Sequence, residues 1–353
     1  MGQRWATKLS VTDLYLWAFR IVVIGIAIWG ITGTVLARKY AAGTWIDNVV
    51  YGLAQGSIYA LIALGYTLVY GVLRMINFAH SEVFMSGPYT AYFVAAAFAS
   101  AGFLNRNPVL SLLVVLVVAM ATSTGIALLL ERVAYRPLRG SPRLVPLIAA
   151  IGASFFLQYT FRGLYGTGFQ AYPEAAVLKG HLMLFGIGIL RTQVVAIVGS
   201  VLMMAGLYAF VMRTSTGTAM RAVSEDIGVA ALMGINVDRV IAITFAVGGA
   251  MAGAAGVLYA LVFKQVHFYM GFIPGIKAFT AAVLGGIGNV PGAMLGGLFL
   301  GIFESLGPIL ILDGLGIVAP YQLRDVIAFT MLVMVLIFRP SGILGERLVT
   351  KKA

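Results

Sequence analysis

The sequence predicts an all-α polytopic membrane protein of about eight transmembrane helices plus one Gly/Pro-broken re-entrant helical hairpin. Three observations carry that expectation. Of 353 residues, 61% are hydrophobic and only 10% charged, whereas soluble domains carry about 25% charged residues. Uncharged runs recur along the chain, each near the roughly 20 apolar residues that cross a bilayer as a helix. The 24 Lys and Arg outnumber 12 Asp and Glu and gather at the ends of those runs, as in cytoplasmic loops that face an anionic leaflet.

At the N-terminus, Arg4 and Lys8 precede an apolar stretch over 14–36. It is longer than the roughly 7–15-residue core of a signal peptide, and Arg20 interrupts it. The expectation is a retained helix with Arg20 snorkelling outward. Runs over 48–73, 83–103, 109–130, 144–161, 193–212 and 240–263 are each about one bilayer long. The run over 278–303 is also uncharged, but Gly285, Gly286, Gly288, Pro291 and Gly292 break it in the middle. The last run, 326–338, needs 321–325 to complete a crossing.

Arg132, Arg136, Arg139 and Arg143 share one short loop, which the positive-inside rule places in the cytoplasm. Alternating outward from that loop puts both termini in the cytoplasm, and the cytoplasmic side then holds most of the 24 basic residues. The parity requires 278–303 to enter and leave on one side as two short helices, with the irregular backbone between them buried in protein. A straight ninth helix is the alternative. Residues 1–45 read as a cytoplasmic tail and an extra helix, 46–345 as the core, and 346–353 as a basic tail.

Small residues recur at four-residue steps: Gly248, Ala252 and Gly256; Gly288, Gly292 and Gly296; Gly297 and Gly301. Helices in lipid associate through such small-xxx-small contacts. Two interruptions, 75–88 and 277–292, form a matched pair in the two halves, the usual pointer to a central pathway in repeat-built transporters.

The chain has no cysteine, which excludes disulfides, thiolate nucleophiles and Cys-ligated zinc. His80, His181 and His267 are not spaced as metal ligands, and HExxH, GxSxG and P-loop patterns are missing. The expectation is a protein that is not an enzyme and holds no metal, cofactor or nucleotide of its own. No basic stripe is interleaved with aromatics, so nucleic acid is not an expected partner; the lipid bilayer is.

Few polar residues interrupt the hydrophobic runs: Asn77, His80, Glu82, Gln158, Lys277 and Glu304. A charge at mid-membrane costs about 2.5–3.5 kcal/mol on insertion scales, so such groups face the bundle interior or an aqueous cavity. Asn77, Phe78, His80, Glu82, Lys277 and Phe279 are the candidates for a translocation path. The competing reading is a set of helix-end residues solvated by headgroups or paired for structure, which the position of Lys277 at a segment mouth favours for that residue.

The stretch 213–239 is a cytoplasmic loop far longer than the usual bundle connection of roughly 2–8 residues. Asp226 can cap a short helix over 227–233, with Gly234 as its left-handed C′ residue, and Glu225 adds charge suited to the helix dipole. A capped helix held out to the cytosol suits docking on a separate motor; a structured loop without a partner is the other reading.

Here the chain also resembles a known family. VVYGLAQGSIYALIALGYTLVYGVLRMINFAHSEVFMSGPY, ERVAYRPLRGSPRLVPLIAAIGASFFLQ, AVSEDIGVAALMGINVDRVIAITF, GIKAFTAAVLGGIGNVPGAMLGG and RPSGILG are similar to LivH-type permeases of bacterial ABC importers for branched-chain amino acids. The likeness runs from about Ile46 to Gly345. It implies a LivM-like second permease, two ATPase subunits that bind the ATP, a periplasmic amino-acid-binding protein and an inner-membrane location. By the same resemblance, Arg221, Glu225, Asp226, Gly234 and Asp238 belong to the ATPase-coupling loop, and Asn77, Phe78, Ala79 and His80 match the NFAH motif. Ser81 stands where the family usually has glycine, and Pro88 where it has a small residue. Related permeases carry urea or short amides, which leaves the cargo open. A stand-alone secondary transporter would use several intramembrane acids, and only Glu82 and Glu304 qualify.

Overall fold

The computed structural model describes residues 11–142, 144–184, 187–318, 320–339 and 341–345. Arg4, Lys8, Arg143 and the basic tail 346–353 lie outside the described residues. The chain starts with α1 (Val11–Ala37), α2 (Ala42–Leu73), α3 (His80–Ser100), the single turn α4 (Phe103–Arg106) and α5 (Pro108–Leu130). A π-helical turn (Glu131–Tyr135) leads towards α6 (Leu144–Tyr165). The segment between α6 and α7 then carries β1 (Gln170–Ala171), β2 (His181–Leu184) and β3 (Ile187–Leu190), followed by α7 (Arg191–Arg213). The short helices α8 (Ser215–Glu225) and α9 (Ile227–Leu232) precede α10 (Val237–Phe263) and β4 (Gln265–Val266). The chain closes with α11 (Phe272–Gly285), α12 (Val290–Gly307) and α13 (Arg324–Phe338). The boundary drawn at residue 45 from the sequence thus falls inside the first turn of α2.

The protein is an all-α polytopic membrane protein. Eight helical segments among the described residues are long and apolar enough to cross a membrane. They sort by burial: 89% of the apolar stretch of α2 is buried, against 6% for α1 and for α13. So α2 is the hub and α1 and α13 lie at the rim. α3 is 21 residues long but carries His80, Ser81, Glu82 and Ser86 in its first half, and it is not one of the eight.

Close backbone approach explains how α2 is enclosed. α12 runs antiparallel along it, from Ser305 Oγ donating to the Asn48 carbonyl at 2.7 Å to Gly288 opposite Gly71. A Cβ on Gly297 would overlap the Ala60 backbone, and one on Gly301 would overlap Gly56. The same device seats α10 on α5, where Gly249 and Gly253 lie against Ser123 and Ala119. The small-residue spacing read from the sequence is therefore packing, in the manner of helices that approach in lipid without a hydrophobic drive.

Contacts repeat under an exchange of α2, α3 and α5 with α10, α11 and α12. α2 packs on α12 and α11; α10 packs on α5 and α3; α2 and α10 meet each other. Both α2 and α10 end in a basic residue in the left-handed region, Arg74 at φ 54° and Lys264 at φ 58°. Each donates its backbone N–H four residues back, Arg74 to Tyr70 at 2.7 Å and Lys264 to Ala260 at 2.8 Å. Non-helical segments, 74–79 and 264–271, then fold back against the bundle, and α3 and α11 start inside it. Gly271 and Gly275 sit on Ser81, in the first turn of α3.

Three differences from the sequence reading follow. The first break spans only 74–79: Pro88 lies inside an unbroken α3, its ring packed against Gly256 of α10. The partner break is 264–271, ahead of the interruption at 277–292. The expected pair of short helices has unequal limbs. α11 has 14 residues, about 21 Å at 1.5 Å per residue, whereas Val290–Leu312 has 23 and is long enough to cross. The turn between them, 286–289, is held by the segment after α13: Ile343 N–H donates to the Leu284 carbonyl at 2.8 Å and Leu344 N–H to Gly285 at 3.0 Å. Gly286 needs its missing Cβ twice over, for φ +107° and for the approach of Gly345.

Gly297→Val should push α12 off α2 and cost about 1–3 kcal/mol or more through overpacking. Gly206→Ala, with no atom within 4 Å of the added Cβ, should not destabilise. Thermal midpoints of the two variants in detergent check this; equal midpoints would remove the seam from the packing account.

Candidate functional site

The first break collects most of the residues singled out from the sequence. α2 cannot continue past Arg74, and α3 begins at His80 with Asn77, His80, Ser81 and Glu82 all buried. Asn77 Oδ1 accepts a 2.9 Å hydrogen bond from the Tyr135 hydroxyl, which comes from the π-helical turn after α5. The Phe78 and Phe279 rings lie 5.7 Å apart, Tyr66 sits 6.0 Å from Phe279, and Tyr66 meets the His80 ring edge-on at 4.8 Å. A narrow cleft opens here, lined by Tyr66, Tyr70, Ile76, Asn77, Phe279 and Ala282 among others. So Asn77 and Phe279 line one space, and Phe78 and His80 adjoin it through aromatic contacts.

Glu82 and Lys277 point elsewhere. Glu82 Oε1 accepts from Ser154 Oγ of α6 at 3.2 Å and from Ser81 Oγ at 3.4 Å. Lys277 is not at a segment mouth. It is 2% exposed, with Nζ 2.6 Å from Glu304 Oε1 and 2.7 Å from Asp325 Oδ1. The Tyr59 hydroxyl also donates to Glu304 Oε1, at 3.4 Å, and Arg324 approaches the same carboxylate at 3.9 Å. This network ties α11 to α12, α13 and α2. It follows the pattern of intramembrane charges, which pair with one another.

Tyr66, Tyr70 and Tyr135 were missed from the sequence. The available signal was spacing: Tyr59, Tyr66 and Tyr70 recur at helical intervals along α2, which puts hydroxyls on one side of the helix.

At the other end of the chain's first break lies the segment between α7 and α10. Thr214 caps α8 by accepting from Gly217 N–H at 3.0 Å. Asp226 caps α9 by accepting from Val229 N–H at 2.9 Å. Gly234 follows at φ +84°, and Ile235 N–H closes the end on the Ala230 carbonyl at 3.1 Å. The helix ends at Leu232, one residue earlier than read from the sequence. Only Ala230 of α9 is buried, while Leu232 is 88% and Met233 78% exposed, with Ile227 and Val229 beside them. Arg221 and Glu225 lie on exposed parts of α8. Asp238 faces the loop after α5, 2.7 Å from Arg136 and also paired with Arg139, which holds Glu131 in turn.

Apolar crossing helices around a broken centre, with a capped helix held out at one end, define a polytopic membrane protein of the transporter kind. The chain belongs to the branched-chain amino acid transport system / permease component family, matching it over residues 48–336. The high-affinity branched-chain amino acid transport system permease protein BraD of Pseudomonas aeruginosa is 44% identical over 310 residues, 87% of this chain and 98% of that protein. The permease protein LivH of Escherichia coli K12, of the same description, is 42% identical over 310 residues, 87% and 97% of the two chains. More distantly, the autoinducer 2 import system permease protein LsrC of Escherichia coli is 27% identical over 210 residues, 56% and 55%.

Removing one member of a buried ion pair strands the other. Lys277→Met should therefore destabilise by about 3–5 kcal/mol, and adding Glu304→Leu should recover most of that loss. Thermal unfolding of the purified variants measures both, and a wild-type midpoint for Lys277→Met alone would contradict the pairing.

Proposed function

We propose that this chain is one membrane subunit of an ATP-driven importer of branched-chain amino acids. The sequence carries no nucleotide-binding pattern, so an ATP-driven permease of this kind would take its energy from a partner through a rigid element that the partner can grip. The observation that carries the reading is α9: six residues, capped at both ends, with Ile227, Val229 and Leu232, and Met233 at its C-cap, all exposed. Leaving those side chains in water is unfavourable, at roughly 25 cal/mol per Å² of apolar surface, and a groove on an ATPase subunit would cover them. Arg221, Glu225, Asp226 and Gly234 belong to this coupling segment, and Asp238 anchors it to the loop after α5.

The partners that complete the machine are a second permease of the same kind, two ATPase subunits and a periplasmic binding protein that selects the cargo. Support for leucine, isoleucine and valine comes from the descriptions of BraD and LivH. In the chain itself it comes from the cleft at the first break, whose aromatic and aliphatic walls suit a branched apolar side chain and whose Asn77 offers a polar group. Asn77, Phe78, His80 and Phe279 form the path together with Tyr66, while Glu82 and Lys277 brace the helices around it. The chain sits in the inner membrane with both termini in the cytoplasm, and α11 and α12 enter and leave on the outer side.

Proteoliposomes holding all the subunits should take up leucine only with ATP. Gly234→Val should insert and assemble normally yet lose transport, because a β-branched residue takes the left-handed conformation only at a cost of about 1–2 kcal/mol. Uptake by this chain alone without ATP would sink the reading, and wild-type uptake by Gly234→Val would remove the segment from the mechanism. Topology is checked separately. A cysteine placed at Gly288 or Gly140 should react with thiol reagents only from the cytoplasmic side, and one at Gly180 only from outside; labelling of Gly288 from outside would reverse the hairpin.

A further inference from the structure

Arg74 and Lys264 occupy equivalent places in the two halves, and each reaches out of the bundle in the same way. Both are non-glycine residues at positive φ, 54° and 58°, a conformation that L side chains rarely adopt and that surrounding contacts must hold. Arg74 Nη2 donates to the Ser224 carbonyl at 2.9 Å, near the end of α8, two residues before the Asp226 cap of α9. Lys264 Nζ lies 3.0 Å from Glu174 Oε2, in the segment between α6 and α7. Its carbonyl also accepts from Tyr172 N–H at 2.9 Å, next to the antiparallel pairing of β1 with β4, Gln170 with Val266. The Lys264 side chain is 54% exposed and that of Glu174 11%; pairs with an exposed partner add little stability, so position is what such a contact can supply.

We propose that Arg74 and Lys264 are a matched pair of positioning residues, each pinning one helix break to the soluble segment at its own end of the bundle. Arg74 delivers movement of α8 and α9 to the first turn of α3. Lys264 delivers movement of the segment between α6 and α7 to the first turn of α11. The two first turns touch, Ser81 against Gly271 and Gly275, so a displacement entering at either end is shared by both helices. The directions of these signals rest on the importer reading; the pins themselves do not.

The test uses the full complex with its ATPase subunits and its binding partner loaded with leucine. Lys264→Glu and Glu174→Lys should each cut the stimulation of ATP hydrolysis by the loaded binding partner about fivefold or more. The double reversal should restore it, which a merely structural loss would not predict. Arg74→Gln should cut that stimulation and leucine uptake by a similar factor, and Arg74→Lys, which retains the charge and a donor, should recover part of both. Amide hydrogen exchange gives a second readout that needs no transport: faster exchange confined to 265–271 in Lys264→Glu, and to 75–79 in Arg74→Gln. Wild-type coupling and exchange in the single variants, or a double reversal no better than either single one, would overturn the proposal. A wild-type complex that does not couple ATP to leucine uptake would defeat the importer reading alone, since the exchange measurements still decide the pins.

Discussion

Backbone that is not helical has no water to satisfy it at membrane depth and must be wrapped in protein. In this chain two such segments, 74–79 and 264–271, fold back against the bundle, and the rest of the structure is what makes that tolerable. α2 and α10 stand beside them, with α12 and α5 pressed onto these two helices so closely that glycine is required at the contacts. Bulkier residues along the seams would widen the helix spacing and leave the broken backbone open to lipid. The glycine content of the second half is therefore not a matter of flexibility. It is the condition for enclosing an interrupted centre.

Enclosure also decides which charges the interior can hold. Glu82 falls in the first turn of α3, where the N-terminal end of the helix dipole favours a carboxylate, and two serine hydroxyls donate to it. Lys277 is 2% exposed and has two carboxylates within hydrogen-bonding distance. Buried pairs of this kind contribute little net stability against a hydrophobic replacement. Their effect is to fix which helix faces which: α11, α12, α13 and α2 converge on Glu304, and a rotation of any of them would strand a charge.

Much of the architecture was legible because the signals are local. An apolar run reads as a crossing wherever it sits, and α9 came within one residue of its observed end because Asp226 and Gly234 define a helix by their immediate neighbours. What failed depended on contacts distant in sequence. Pro88 reads as a breaker, yet α3 passes through it unbroken with Gly256 of α10 against its ring. Lys277 reads as a mouth residue because nothing near it is acidic; its partners are Glu304 and Asp325. The second break was missed because VHFYMGF is as apolar as the helices around it, and only the left-handed turn at Lys264 separates it from α10. Within the cleft, Asn77 and Phe279 were found by polarity and family motif, whereas Tyr135 is brought there by a π-helical turn that no periodicity announces.

The polar contacts at the α8–α9 end of the bundle form a connected set. Asp238, in the first turn of α10, holds Arg136 and Arg139; Arg139 also holds Glu131, the first residue of the π-helical turn. The last residue of that turn, Tyr135, donates to Asn77 in the first break, three residues after Arg74 and its bond to α8. α9 itself is fixed almost entirely through its ends, since Ala230 is its one buried residue and its caps are internal. A load applied to its exposed side chains therefore has two exits, back through α8 to Arg74 and forward through Asn236, which caps α10 by accepting from Arg239 N–H at 3.0 Å. Both exits meet again at the 74–79 segment, one directly and one by way of Asp238, the loop after α5 and Tyr135. The segment is thus held from two sides, by the bond of Arg74 to α8 and by the bond of Tyr135 to Asn77 beside Tyr66 and Phe279.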